Sequence, residues 1–167
     1  MRIVALALFL AACGYQPVHE ARGDEKLSVS LASSMVPDAA VSDEVVVGLR
    51  EELAKNGALA SSDGAYPRCE IEVLRADEAS EGIAAIGGAP TARATRVGII
   101  ARAWVVRSKD GPRERDTGDV RTMETVAVTS DAPGATFRYS DALKAAGRRA
   151  GRRLASRLMG LPSASDD

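Results

Sequence analysis

The chain has 167 residues, with 22 Lys and Arg against 23 Asp and Glu, one His, and a formal net charge of −1. That length fits one domain with short tails, and a hydrophobic share of 46% excludes global disorder. The balanced charge excludes a uniformly basic nucleic-acid binder but leaves room for a local basic patch.

Residues 1–12 read as a secretory signal. Arg2 supplies a one-charge start, and Ile3 to Leu10 form an unbroken apolar run. Leu10-Ala11-Ala12-Cys13 follows. Small residues before a cleavage point let the chain enter a signal peptidase in extended form. A Cys directly after that point resembles the lipobox, in which the thiol takes a diacylglycerol. Cleavage is expected between Ala12 and Cys13, with the new amino group acylated (palmitate). Two or more acyl chains hold a protein firmly to a bilayer, whereas one binds marginally. Gly14 rather than Asp follows Cys13, which by resemblance to Gram-negative lipoprotein sorting favours the outer membrane. No stretch reaches the roughly 18 to 20 apolar residues of a membrane span.

Residues 13–24, with Pro17 and Gly23, read as a tether. Residues 25–160 read as a single α+β domain, and 161–167 as a disordered tail. Lys26 to Ala32 alternates, with Leu27, Val29 and Leu31 on one face, as in a half-buried strand. Pro37 breaks the loop after it. Ser42 then offers a helix N-cap, and Asp43 and Glu44 suit the positive end of a helix. Val45, Val46, Leu49 and Leu53 recur at helical spacing, and Asn56-Gly57 supplies a stop, so a helix is expected over 43–56.

Ser61 to Pro67 reads as a turn region. Cys69, Ile71 and Val73 alternate with Glu70 and Glu72 as a second strand. Residues 79–92 form a soft loop around Gly87-Gly88. Arg93 to Arg107 is a long third strand, with Val97, Ile99, Ala101, Ala103 and Val105 on one face. Its other face is mixed, and there Arg102 neighbours Trp104. Lys109 to Pro112 is a turn, and Arg113 to Asp116 reads as a solvated hairpin tip. Asp119 to Thr129 is a fourth strand, with Val120, Val126 and Val128 on one side and Glu124 interrupting it.

Ser140 offers a cap for a last helix, in which Leu143, Ala146, Ala150, Leu154 and Leu158 form an apolar stripe. Gly147 and Gly151 cost roughly 1 kcal/mol each against Ala in a helix, a cost consistent with close packing on the sheet. Residues 144–157 carry six cations and no acid. One reading is a solvated face whose cations suit the helix dipole; the other is an anion-binding face, because guanidinium pairs with phosphate by two hydrogen bonds.

The fold class is therefore α+β, in the order β-α-β-β-β-α. Two helices pack on one face of a four-stranded mixed or antiparallel sheet.

Catalysis finds little support. His19 is the only histidine, and Cys13 and Cys69 are the only thiols. A zinc site needs about four N or S ligands, or three and a water, and no such cluster exists. G-x-S-x-G, the P-loop and G-x-G-x-x-G are all missing. The expectation is a non-enzyme with no catalytic residue, no metal and no cofactor apart from the covalent lipid on Cys13. With Cys13 acylated, Cys69 reads as a small buried hydrophobe, or less simply as half of an intermolecular disulfide.

Cys13-Gly14-Tyr15 followed by Pro17, a strand, a helix ending Leu53-Ala54-Lys55-Asn56-Gly57-Ala58, three strands and a long last helix together resemble the LptE family. These are lipopolysaccharide-assembly lipoproteins of Gram-negative outer membranes. The resemblance implies a plug and assembly partner for the LptD β-barrel, held by its lipid with the domain on the periplasmic side, contacting lipopolysaccharide and no nucleic acid. Cys13 carries over as the lipidated residue. Arg93, Arg96 and Arg102, and Arg148 and Arg152 of the basic helix, are nominated for lipopolysaccharide contact. The alternative is an accessory lipoprotein of an efflux or secretion system that binds a periplasmic protein.

Overall fold

The computed structural model describes residues 25–81, 94–127 and 132–162. Its elements run β1 (Ser28–Ser34), α1 (Ala39–Lys55), β2 (Arg68–Glu81), β3 (Ala94–Val106), β4 (Val120–Ala127) and α2 (Ala132–Leu158). The four strands lie side by side in sequence order. β1 and β2 are parallel because α1 carries the chain back across the sheet, while β2–β3 and β3–β4 are antiparallel. This is the expected α+β architecture.

Alternation decides which face the helices cover. Cys69, Ile71 and Val73 of β2 and Val97, Ile99, Ala101, Ala103 and Val105 of β3 are all sealed from solvent. They form one core with Val41, Val45, Leu49 and Leu53 of α1 and the Leu143, Ala146, Ala150, Leu154, Leu158 stripe of α2. A bulge between Val73 and Arg75 shifts the pairing, so that Ala76 rather than Arg75 faces Ile99. An extra residue in one strand reverses the faces of everything after it. β2 can therefore run well past Val73 although the apolar alternation there changes parity.

Glu124 does share the helix-facing side of β4 with Val120, Thr122 and Val126. It stays only partly buried, and Arg149 of α2 meets its carboxylate at 2.7 Å. Thr122, fully buried, donates its hydroxyl to the Ala146 carbonyl at 2.8 Å.

Both helix starts differ from the sequence expectation. α1 is capped by Asp38, whose carboxylate accepts from the Ala40 N–H at 3.0 Å. Ser42 lies inside the helix, buried, with its Oγ 2.7 Å from that of Ser34. Two capping residues stood four positions apart, and burial of Val41 selected the earlier one. α2 likewise begins at Ala132, so Ser140 is an interior residue and not a cap. Pro133 is compatible with that start, because a first-turn N–H has no helical partner to lose. The helix ends are alike. Gly57 and Gly160 take φ of +69° and +68°, and Ala58 and Leu161 donate back to Leu53 and Ser156. That is the left-handed termination glycine favours.

Gly147 and Gly151 face α1 rather than the sheet. A Cβ on Gly151 would lie 2.1 Å from the Val45 carbonyl oxygen, and one on Gly147 would lie 2.9 Å from that of Val41. The two helices touch backbone to backbone along this seam.

Candidate functional site

The nominated residues do not meet. Ala12, Cys13 and Arg93 lie outside the described residues, as do most of the 79–92 loop and of the 161–167 tail. Arg96 is exposed on β3, opposite Ala79 of β2 and Thr125 of β4. Arg102 lies on the sheet face away from the helices and grips Glu72 with Nε at 2.7 Å and Nη2 at 2.6 Å. That grip holds the Glu72 carboxyl below its ordinary value. Arg148 and Arg152 project from α2 on the other side, where both meet Glu51 of α1, and Arg148 also approaches Glu44 at 3.5 Å. The nominated cations thus divide between opposite faces.

The basic helix resolves into two rows. Arg148 and Arg152 cross to the acids of α1. Arg149, Arg153 and Arg157, one turn apart, run along the free edge of β4. Arg149 donates to the Met123 carbonyl at 3.4 Å and Arg153 to that of Arg121 at 3.3 Å. Arg157 donates to Asp119 at 3.3 Å and Thr117 at 3.2 Å. Arg121 and Met123 are alternate residues of β4, and Thr117 and Asp119 continue the row just before the strand begins. Burial, then the neighbouring charges of Arg149 and Arg157, lower the pKa of Arg153. The spacing of four was visible in the sequence, but its target was not, because a strand edge becomes an acceptor row only once the sheet is assembled.

The outer sheet face carries a lattice of charge. Trp104 is almost fully buried there; its indole N–H reaches Glu70 at 3.2 Å, and the Arg113 guanidinium lies 3.8 Å above its ring. Glu70 also receives Arg68 at 2.9 Å, and Arg68 stacks over Tyr66. Arg75 and Arg121 share Asp77.

Residues 113–116 are not a solvated tip. Glu114 exchanges both backbone hydrogen bonds with Val105 at 2.7 Å, and Thr117 pairs with Ala103. The segment therefore occupies the stretch of β3 edge beyond the end of β4. Arg115, with φ of +48°, and Arg107 both clasp Glu25 at 2.5 and 2.7 Å. A depression of about 470 Å³ opens among Glu25, Arg107, Glu114 and Arg115. Its two carboxylates and two guanidiniums pair with each other.

Cys69 is free and sealed in the core opposite Val105, and burial pushes its thiol up to about 12. No sulfur is exposed there for a bridge to a second chain. Among the described residues no group of three His, Cys, Asp or Glu is placed to hold a metal ion. No described helix is long and apolar enough to cross a membrane.

The molecule is thus a two-layer α+β domain, a four-stranded sheet with two helices on one face. No protein-family model matches the chain, and no curated protein matches it. Several solved structures resemble it in fold. A candidate lipoprotein from Caulobacter crescentus aligns over 79% of this chain and 88% of its own, with 13% identity and a TM-score of 0.48. A minor lipoprotein from Acinetobacter baumannii covers 78% and 91%, with 12% identity and a TM-score of 0.47. Rare lipoprotein B from Shewanella oneidensis covers 80% and 94%, again with 12% identity and a TM-score of 0.47. With scores below 0.5, none of these likenesses decides a function.

Proposed function

We propose that this chain is a lipid-anchored envelope protein that works by binding, in the manner of the LptE family. The observation that carries the reading is Leu10-Ala11-Ala12-Cys13, placed twelve positions before Glu25, the residue that Arg107 and Arg115 clasp against the domain. Acylated Cys13 then stands on a tether that spans at most about 40 Å when extended. The domain acts as plug and assembly partner of an outer-membrane β-barrel in lipopolysaccharide transport. The β-α-β-β-β-α order supports this reading. Contact with lipopolysaccharide through Arg102, Arg148 or Arg152 has to compete with Glu72 and Glu51, so the protein partner is the main ligand.

The test is recovery of full-length tagged protein from detergent-solubilised native membranes, with mass spectrometry of its N-terminal peptide and of what accompanies it. The expected result is a peptide beginning at lipid-modified Cys13 and a stoichiometric large β-barrel that is retained in Cys13→Ala. An unmodified Cys13 in a mature chain overturns the anchor. A lipidated protein accompanied only by transporter or secretion components overturns the barrel role and leaves the accessory lipoprotein.

A further inference from the structure

We infer that the Arg149, Arg153, Arg157 row is an edge cover that keeps β4 from adding a strand of a second copy of this chain. An uncovered edge strand is a template for further pairing, and proteins commonly block such edges. The sheet's two edges are protected differently. Beside β1, Leu27, which directly precedes the strand, bonds both Ala58 and Ala60, and Arg50 reaches the Val29 carbonyl at 3.4 Å. Along β4 and the residues just before it, the three guanidiniums engage the carbonyls of Thr117, Asp119, Arg121 and Met123 at 3.2–3.4 Å, the last two within the strand.

The sequence of β4 identifies the partner that is kept out. It reads Val120-Arg121-Thr122-Met123-Glu124-Thr125-Val126-Ala127. Folded antiparallel about Met123, it sets Val120 against Val126 and Thr122 against Glu124 on the helix-facing side. On the other side Arg121 meets Thr125. Like charges never stand opposite each other; valine meets valine on either side of the axis, a favourable cross-strand match, and Met123 meets its own copy on the axis. A two-fold axis at Met123 would join two four-stranded sheets into one of eight. Three guanidiniums from each copy stand in the way, and their mutual repulsion across such an axis adds to the block.

Sedimentation velocity of the full-length protein in detergent tests this. Wild type sediments as a monomer. Arg149→Ala/Arg153→Ala/Arg157→Ala self-associates, with a dimer dissociation constant lowered by about tenfold or more, since several backbone acceptors are released together. Adding Thr125→Pro, which removes an outward N–H, restores the monomer. Should the triple variant lose its circular dichroism signal, Arg153→Ala alone carries the same test with a smaller shift. A folded variant that stays monomeric overturns the inference. So does association that Thr125→Pro leaves intact, and so does a wild type that already pairs through β4.

Discussion

Gly48 of α1 lies directly against the Arg148 carbonyl of α2: a Cβ at Gly48 would fall 2.1 Å from that oxygen. Gly151 makes the reciprocal approach to Val45 and Leu49. Two glycines from one helix and one from the other therefore set the helix separation, and the Leu143 to Leu158 stripe reaches the sheet only at that separation.

Gly151→Ala should lower stability by about 2–3 kcal/mol, because added core volume at a backbone contact has nowhere to go. Gly147→Ala should cost less, because its Cβ has 2.9 Å to the nearest oxygen and alanine recovers about 1 kcal/mol of helix propensity. Urea unfolding checks the order. Equal midpoints for wild type and Gly151→Ala would mean that the seam is looser than the backbone contacts require.

The glycine seam also shows what the sequence could and could not convey. Strict periodicity made the β3 face and the α2 stripe legible, since each apolar residue reports its own burial. A glycine reports only that a side chain is missing, so the pattern cannot distinguish a close approach to the sheet from the close approach to α1 that Gly147 and Gly151 make. The caps failed for a related reason. Asp38 and Ser42 are both good capping residues, and only burial of Val41 and Ser42 separates them.

Glu51 accepts a hydrogen bond from Arg148 Nε at 3.0 Å, and that bond first, with the Arg148 and Arg152 charges, holds its carboxyl below the ordinary value of 4.5. A carboxyl depressed in the folded state stabilises it above the unfolded pKa, and the contribution disappears as pH falls through the folded one. Acidification from about pH 5 downward should therefore loosen α1 from α2. Glu51→Gln should flatten that part of the stability–pH curve while leaving neutral stability nearly unchanged, because exposed pairs contribute little. Urea midpoints measured across pH 2–6 decide it. An unchanged acid limb in Glu51→Gln would assign the acid sensitivity to other carboxylates, Glu72 first.

Cys69 gives the opposite sign. Burial raises its thiol from 9.0 to about 12, so the folded state holds a proton that the unfolded chain releases. Its contribution is complete below about pH 9 and is lost as pH climbs toward 12. Native protein should resist maleimide at Cys69 at neutral pH and react once urea unfolds it, as read by mass spectrometry of that peptide. Cys69→Ala should remove part of the alkaline loss of stability. Rapid labelling of the folded protein would show that the core opens locally at β2.

Little of the candidate site was legible in the sequence, because its residues acquire meaning from partners far away in the chain. Arg102 and Trp104 on one face followed from alternation. Glu72 and Glu70 as their partners required the β2–β3 register, and the Arg113 stack required a segment that had every mark of a solvated turn. A charged run before Gly118 looks the same whether it points into water or folds back onto an indole.

That fold-back can be followed directly, because Trp104 is the only tryptophan. Arg113 covers its ring at 3.8 Å, leaving the residue 3% exposed. Arg113→Ala should shift the emission to longer wavelength and cost about 0.5–2 kcal/mol, the range for a cation over an aromatic face. Arg113→Lys should retain part of both, since an ammonium keeps the charge but loses the planar stack. Glu114, on the same segment, is held to Val105 through its backbone, so Glu114→Gln should leave the emission nearly unchanged. The pattern separates a stack on the ring from general fraying of residues 113–117. Red shifts of equal size in Arg113→Ala and Glu114→Gln would mean that the whole segment lifts from β3, with Trp104 buried by the strand pairing and not by the guanidinium.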